Sequence, residues 1–198
     1  MNNQPINIIH KEDQNCQFLL LQFSENEPNE GKGKHKDLIE NLIRNWFGQE
    51  YTLVYNEFGK PQLKGGIGFV SLSYCKTWIA VGFSKIAEIG IDIEHNRIQL
   101  VNIAPRFMSL AELDAWKQSS RKQEYLQLVW GAKEALYKVY GRKQLIFKEN
   151  LLVSGLHPAI AESFRGEILT EQLHHSYLIK WFMPDEFTYL VYVANQIL

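Results

Sequence analysis

Cysteine is scarce in this chain: Cys16 and Cys75 are its only two. They are too few for a disulfide scaffold and too far apart in sequence for a close metal-binding pair. This usage points to a reducing compartment, and the expected location is cytoplasmic. Excess charge of either sign is also missing. The 21 lysines and arginines nearly cancel the 22 aspartates and glutamates, with a pI of 6.6, so there is no global basic field to hold nucleic acid. No run approaches the roughly 20 apolar residues needed to span a bilayer. The opening Met1-Asn2-Asn3-Gln4-Pro5 lacks the basic-then-apolar order of a secretion signal. Neither nucleic acid nor membrane is therefore an expected partner.

What remains is a chain of 198 residues, 45% hydrophobic, long enough to bury a sizeable core. Segments 6–9 and 17–23 read as strands, and 25–36, which holds Gly31 and Gly33, reads as a loop. From Lys36 to Phe47 the residues Leu38, Ile39, Leu42, Ile43, Trp46 and Phe47 recur at helical spacing. Strands are expected at 67–74, 77–84 and 90–94. A long helix is expected over 121–140, with Tyr125, Leu126, Val129, Ala132, Leu136, Val139 and Tyr140 as its buried stripe. Strands near 177–183 and 187–194 follow, with Pro184-Asp185 marking the turn between them. A helix followed by antiparallel strands occurs in both halves, which predicts an internally duplicated α+β fold rather than a doubly wound sheet. Residues 1–95 and 96–198 are the two expected halves of one compact unit, joined at a turn containing Asn96 and Arg97.

Two short stretches concentrate the chemistry: Gly90-Ile91-Asp92-Ile93-Glu94, and about forty residues later Trp130-Gly131-Ala132-Lys133-Glu134-Ala135-Leu136-Tyr137-Lys138. In a strand, Asp92 and Glu94 share one face while Ile91 and Ile93 point into the core. In a helix, Glu134 and Lys138 stand one turn apart on one face. Three converging carboxylates suit magnesium, and a lysine beside them suits substrate phosphates. The same residues also fit plainer roles. Alternating apolar and acidic residues describe any half-buried strand, and Glu134 with Lys138 fits a surface helix pair.

These two motifs resemble the signature of the phosphopantetheinyl transferases, particularly the surfactin-synthetase type, in which one chain holds two pseudo-twofold halves. Gly59-Lys60-Pro61 is similar to that family's GKP segment, Arg106-Phe107 through Glu112 to its RFxxxxE stretch, and 36–44 to its basic first helix. The resemblance covers roughly residues 34–150. It implies an α+β fold of two pseudo-twofold halves, each a long helix packed on an antiparallel sheet, and a monomer. It also implies transfer of the 4′-phosphopantetheine arm of coenzyme A to a serine of an apo acyl or peptidyl carrier protein. In that reading Mg²⁺ is held by Asp92, Glu94 and Glu134, Lys138 stabilises the leaving phosphate, and Glu112 takes the serine proton.

Glu112 has a competing role, because Ser109-Leu110-Ala111-Glu112 is a capping box. The coenzyme is expected to meet Lys36, Lys60, Pro61, Ser73 and Tyr74, with Lys32 and Lys34 as further cations. Tyr74 stands where the family has a histidine, which replaces a group able to carry charge by a neutral phenol. Lys143 likewise stands where a second glycine is usual. These two departures leave a second reading open, a noncatalytic relative that binds coenzyme A or carrier protein without transfer.

The basic residues Lys117, Arg121 and Lys122, around two serines, fit either an acidic carrier surface or a polar linker. His174-His175 has no third ligand nearby and reads as a turn or strand edge, and the five tryptophans read as core.

Overall fold

The structure is a computed structural model that describes residues 5–24, 36–65, 68–157 and 162–197. The expected loop at 25–36 falls almost wholly outside these residues, and so do Lys32 and Lys34. Strands β1 (Asn7–Asp13) and β2 (Cys16–Gln22) form a hairpin. They join β6 (Trp78–Ser84) and β5 (Phe69–Tyr74) in an antiparallel sheet of order β1-β2-β6-β5. A second antiparallel sheet, of five strands, runs β7-β11-β10-β9-β8. Its members are β7 (Ile91–His95), β8 (Leu151–Ser154), β9 (Ser163–Leu169), β10 (His174–Asp185) and β11 (Thr188–Ile197). Helix α1 (Lys36–Phe47) packs on the first sheet, and the long α4 (Lys122–Tyr140) packs on the second.

Strand alternation explains why these layers stack. Leu19, Leu21, Ile79 and Val81 face α1, where Ile39 and Ile43 meet them. The intervening Phe18, Leu20, Trp78 and Ala80 face the other way, against Ile91, Ile93, Leu190 and Tyr192 of the second sheet. The far side of that second sheet sends Val191, Val193 and Ile179 against Leu126, Val129, Ala132 and Leu136 of α4. The order is thus helix, sheet, sheet, helix, a mixed α+β architecture.

Polar clamps also tie the two stacked sheets together. The Lys180 ammonium donates to Asp13 at 2.9 Å, and the Tyr192 hydroxyl donates to the same carboxylate at 2.8 Å. The Trp78 indole donates to Asp185 at 2.9 Å. The turn at Asn96 and Arg97 is similarly held, since the Arg97 amide donates to Gln127 and the Gln123 side chain to Asn96.

Several local expectations need correction. The turn between β10 and β11 is Glu186-Phe187 rather than Pro184-Asp185. Pro184 lies in β10 where the register shifts between Phe182 and Asp185, a place that tolerates a residue without an amide donor. Tyr140 is half-buried rather than core. The sequence reading also lacked β3 (Thr52–Tyr55) and β4 (Pro61–Lys64), which form a two-stranded hairpin around the Gly59-Lys60 turn. It lacked α2 (Leu100–Phe107), α5 (Phe147–Asn150), β8 and β9 as well. Helix α3 (Leu110–Gln118) does begin at the expected capping box.

Candidate active site

The site begins where β7 crosses α4. Gly90 brings strand and helix so close that a Cβ there would lie 2.0 Å from the Ala135 carbonyl oxygen. This explains why the strand motif opens on the one residue without a side chain. Because Ile91 and Ile93 go into the core between the sheets, Asp92 is turned towards α4 and is 8% exposed.

Lys138, one turn after Glu134, reaches across to meet Asp92. Its ammonium donates to Asp92 Oδ1 at 3.0 Å, to the Ile91 carbonyl at 2.8 Å and to Ser73 Oγ at 2.9 Å. Ser73 in turn donates to Asp92 Oδ1 at 3.1 Å and accepts from the Ile93 amide at 3.1 Å. Aspartate, lysine and serine therefore form one closed network, and Ser73 is buried within it. Ser73, expected to meet the coenzyme, here holds Asp92 and Lys138 together through its hydroxyl.

Glu94 and Glu134 stand beside this network. Glu94 accepts from the Arg97 guanidinium at 3.0 Å and from the His95 amide at 3.1 Å. Burial holds its carboxyl above the usual carboxylate range, with Asp92 adding to the rise and Arg97 opposing it. Glu134 accepts no hydrogen bond among the described residues. Burial, then the charge of Asp92 against the pull of Lys138, then Glu94, push its carboxyl up to about 7. These mutual effects bring the three carboxylates into one electrostatic neighbourhood.

Among the described residues no group of three or more His, Cys, Asp or Glu side chains stands ready-made to hold a metal ion. The donor chemistry nevertheless suits a hard divalent cation. A half-buried carboxylate such as Glu134, which lacks a hydrogen-bond donor and is repelled by two acidic neighbours, gains stability from added positive charge.

A cleft of about 340 Å³ opens along the α4 wall. It is lined by Glu134 and Lys138 on that wall, by Lys60, Pro61 and Tyr74 across from them, and by Tyr55 and Phe58 of the β3–β4 hairpin region. Tyr74 is 44% exposed there. The cleft thus gathers five of the expected site residues, with Ser73 and Asp92 directly behind. Lys60 is less free than expected. Its ammonium donates to Glu88 at 2.6 Å and to the Val139 carbonyl at 2.7 Å, so it caps the C-terminal end of α4. Lys36 does not line this cleft: it is 55% exposed at the start of α1 and pairs with Glu40 at 3.8 Å.

Glu112, the expected base, is placed away from this cleft. It is 2% exposed, and its side chain accepts from the Ser109 amide at 2.7 Å, completing the capping box. It also accepts from the Val153 amide at 2.7 Å and pairs with Lys133 at 2.8 Å. Both carboxylate oxygens thus accept hydrogen bonds from backbone amides.

The sequence reading missed Lys133 itself, whose ammonium also donates to the Phe147 and Leu151 carbonyls. It gave no role to Arg142, and it treated Lys143 only as a departure from glycine. Both cations line the cleft. The two cysteines are buried thiols pushed up by desolvation, Cys16 to about 11 and Cys75 to about 12, and are unreactive as nucleophiles. Lys117 and Arg121 pair with Asp114 and Glu124.

No curated protein matches the chain. The family model of the 4′-phosphopantetheinyl transferase superfamily matches residues 88–190, just over half of the chain and the stretch that carries Asp92, Glu94, Glu134 and Lys138. With both β7 and α4 inside that match, the chain belongs to the 4′-phosphopantetheinyl transferase superfamily.

Proposed function

We propose that this protein is a monomeric transferase of the surfactin-synthetase type, with two pseudo-twofold halves, acting in the cytoplasm. It moves the 4′-phosphopantetheine arm of coenzyme A onto a serine of an apo acyl or peptidyl carrier protein. The observation that carries this reading is a single wall of α4. On it, Glu134 and Lys138 line a cleft open to a small anionic ligand, directly in front of the buried Asp92.

In this reading the serine oxygen forms a bond to the phosphorus that carries pantetheine. The bridging oxygen of the pyrophosphate departs with adenosine 3′,5′-bisphosphate. Such a reaction needs little beyond positioning and charge neutralisation. Asp92, Glu94 and Glu134 would hold Mg²⁺, whose chemistry when bound is to neutralise charge building on the phosphate oxygens.

Lys138 places its ammonium beside those oxygens, kept in position by Ser73, the Ile91 carbonyl and Asp92. The serine proton must leave as the new bond forms, and Glu112 is sealed away from it. The proton passes to water, because Glu134, the one carboxylate lining the cleft among the described residues, is committed to the cation in this reading.

The test follows adenosine 3′,5′-bisphosphate by chromatography while the protein is incubated with coenzyme A, Mg²⁺ and apo carrier proteins. Release that depends on the carrier supports transfer. Coenzyme binding without release across a broad carrier panel would favour the noncatalytic reading instead.

A further inference from the structure

Both oxygens of the Glu94 carboxylate are held. Oε1 accepts from the His95 amide at 3.1 Å and Oε2 from the Arg97 guanidinium at 3.0 Å, and each oxygen keeps a second lone pair for a cation. An exposed ion pair on its own fixes little, and the Arg97 side chain is 46% exposed. This pair differs because the backbone that carries both donors is anchored on two sides.

On one side the His95 ring bridges two threonines. One ring nitrogen lies 3.0 Å from Thr77 Oγ1 and the other 3.0 Å from Thr188 Oγ1, and both threonines are buried. Thr77 precedes β6 of the first sheet and Thr188 opens β11 of the second, so the end of β7 is locked between the sheets. On the other side Arg97 is fastened to α4. Its amide donates to Gln127 Oε1 at 3.0 Å, and its carbonyl accepts from the Gln123 side chain at 2.9 Å. Gln127 is 1% exposed, so this bond does not compete with water. Seven residues, two helical turns of about 10 Å, separate Gln127 from Glu134 and place both on one face of α4. One helix therefore sets Glu134 directly and Glu94 through the turn at Arg97. Burial raises the carboxyls of both glutamates, and Arg97 opposes both rises, so its charge reaches the two of them.

We infer that Arg97 is a positioning residue: fixed by Gln127, it holds the Glu94 carboxylate rigid and so makes the site prefer Mg²⁺ to the larger Ca²⁺. The inference rests on the transferase reading, which gives Asp92, Glu94 and Glu134 to the cation. Mg²⁺ demands near-ideal octahedral geometry at short range, whereas Ca²⁺ accepts irregular shells at longer distances. A carboxylate free to swing therefore costs Mg²⁺ more than Ca²⁺. Loss of the Arg97 charge changes the field felt by two divalent cations alike, so the ratio of their affinities separates positioning from electrostatics.

Calorimetric titration of the full chain, loaded with coenzyme A, with Mg²⁺ and separately with Ca²⁺ tests the inference. The wild type should bind Mg²⁺ more tightly. In Arg97→Ala the ratio of Mg²⁺ to Ca²⁺ affinity should fall about tenfold. Gln127→Leu alters no charge, and there Mg²⁺ affinity should fall about tenfold while Ca²⁺ affinity is nearly kept. Arg97→Ala truncates an exposed side chain, so it should fold as the wild type does and decides the matter even if Gln127→Leu unfolds. An unchanged ratio in Arg97→Ala would overturn the inference, as would a wild type that binds Ca²⁺ as tightly as Mg²⁺. An equal loss of both cations in a folded Gln127→Leu would overturn it too. Failure of the coenzyme-loaded wild type to bind either cation would sink the Mg²⁺-dependent reading beneath it, and the inference with it.

Discussion

Glu112 and Lys133 form an ion pair closed to solvent, 2.8 Å apart, with side chains 2% and 0% exposed. Every donor and acceptor of the pair is used. Glu112 holds the N-terminus of α3 and the Val153 amide of β8, while Lys133 reaches the carbonyls of Phe147 and Leu151 from α4. Burial pulls the Lys133 ammonium below its ordinary value, and the adjacent carboxylate opposes that fall. One pair thus ties α3, α4 and β8 into a single scaffold behind the site.

Removing one partner strands the other charge. Lys133→Met and Glu112→Gln should each lower unfolding free energy by about 3–5 kcal/mol in urea denaturation. Replacing both by apolar residues should cost less than the two single changes added together. A loss of under 1 kcal/mol in the single variants would mean that the pair is not closed.

Both the pair and its location were partly legible in the sequence. Lys133 interrupts the apolar stripe of Leu126, Val129 and Leu136, and a lysine there must either break the helix face or find a buried partner. The capping box around Ser109 gave the position of Glu112, while the partnership across two helices did not show at the level of letters. Ile91 and Ile93 announced their inward face, which in turn set Asp92 towards α4. Helix α2 escaped notice because it is eight residues long, has no side-chain cap at Gln99 and carries Pro105 inside it. The strands β3 and β4, of four residues each, are too short for alternation to identify.

Glu134 gives a pH dependence of definite sign. Burial and then the charge of Asp92 push its carboxyl up to about 7 in the folded protein, from the ordinary 4.5, so folding favours its protonated form. The stability it contributes is complete below about pH 4.5 and is lost as pH rises through about 7. Thermal melts of Glu134→Gln should therefore match the wild type near pH 4 and exceed it at pH 8, by about 1–3 kcal/mol. At pH 8, Mg²⁺ should raise the wild-type Tm and leave that of the variant unchanged. A Mg²⁺ response retained in Glu134→Gln would remove this carboxylate from the cation site.

Asp13 behaves in the opposite sense. Burial raises its carboxyl, but hydrogen bonds from Lys180 and Tyr192 outweigh that and bring it below 3.8. Its contribution is present at neutral pH and fades as pH falls below about 4. Asp13→Asn should loosen the contact between the two sheets and destabilise the protein by about 1–2 kcal/mol at pH 7, a difference that narrows at pH 3. A gap that stays constant between the two pH values would contradict this.

Ser73→Ala removes the hydroxyl that bridges Asp92, Lys138 and the Ile93 amide. The expected cost is about 1–3 kcal/mol of stability. Turnover should fall more than coenzyme affinity if this hydroxyl acts through Asp92 and Lys138, which it holds together. A change confined to coenzyme affinity would place Ser73 at the ligand after all.

The most direct test of transfer is the intact mass of an apo carrier protein after incubation with this chain, coenzyme A and Mg²⁺. The account predicts that the carrier gains the mass of one phosphopantetheinyl group on its serine. The gain should vanish with Glu134→Gln, although that variant folds. No gain with any carrier in a broad panel, or an undiminished gain with Glu134→Gln, would contradict it.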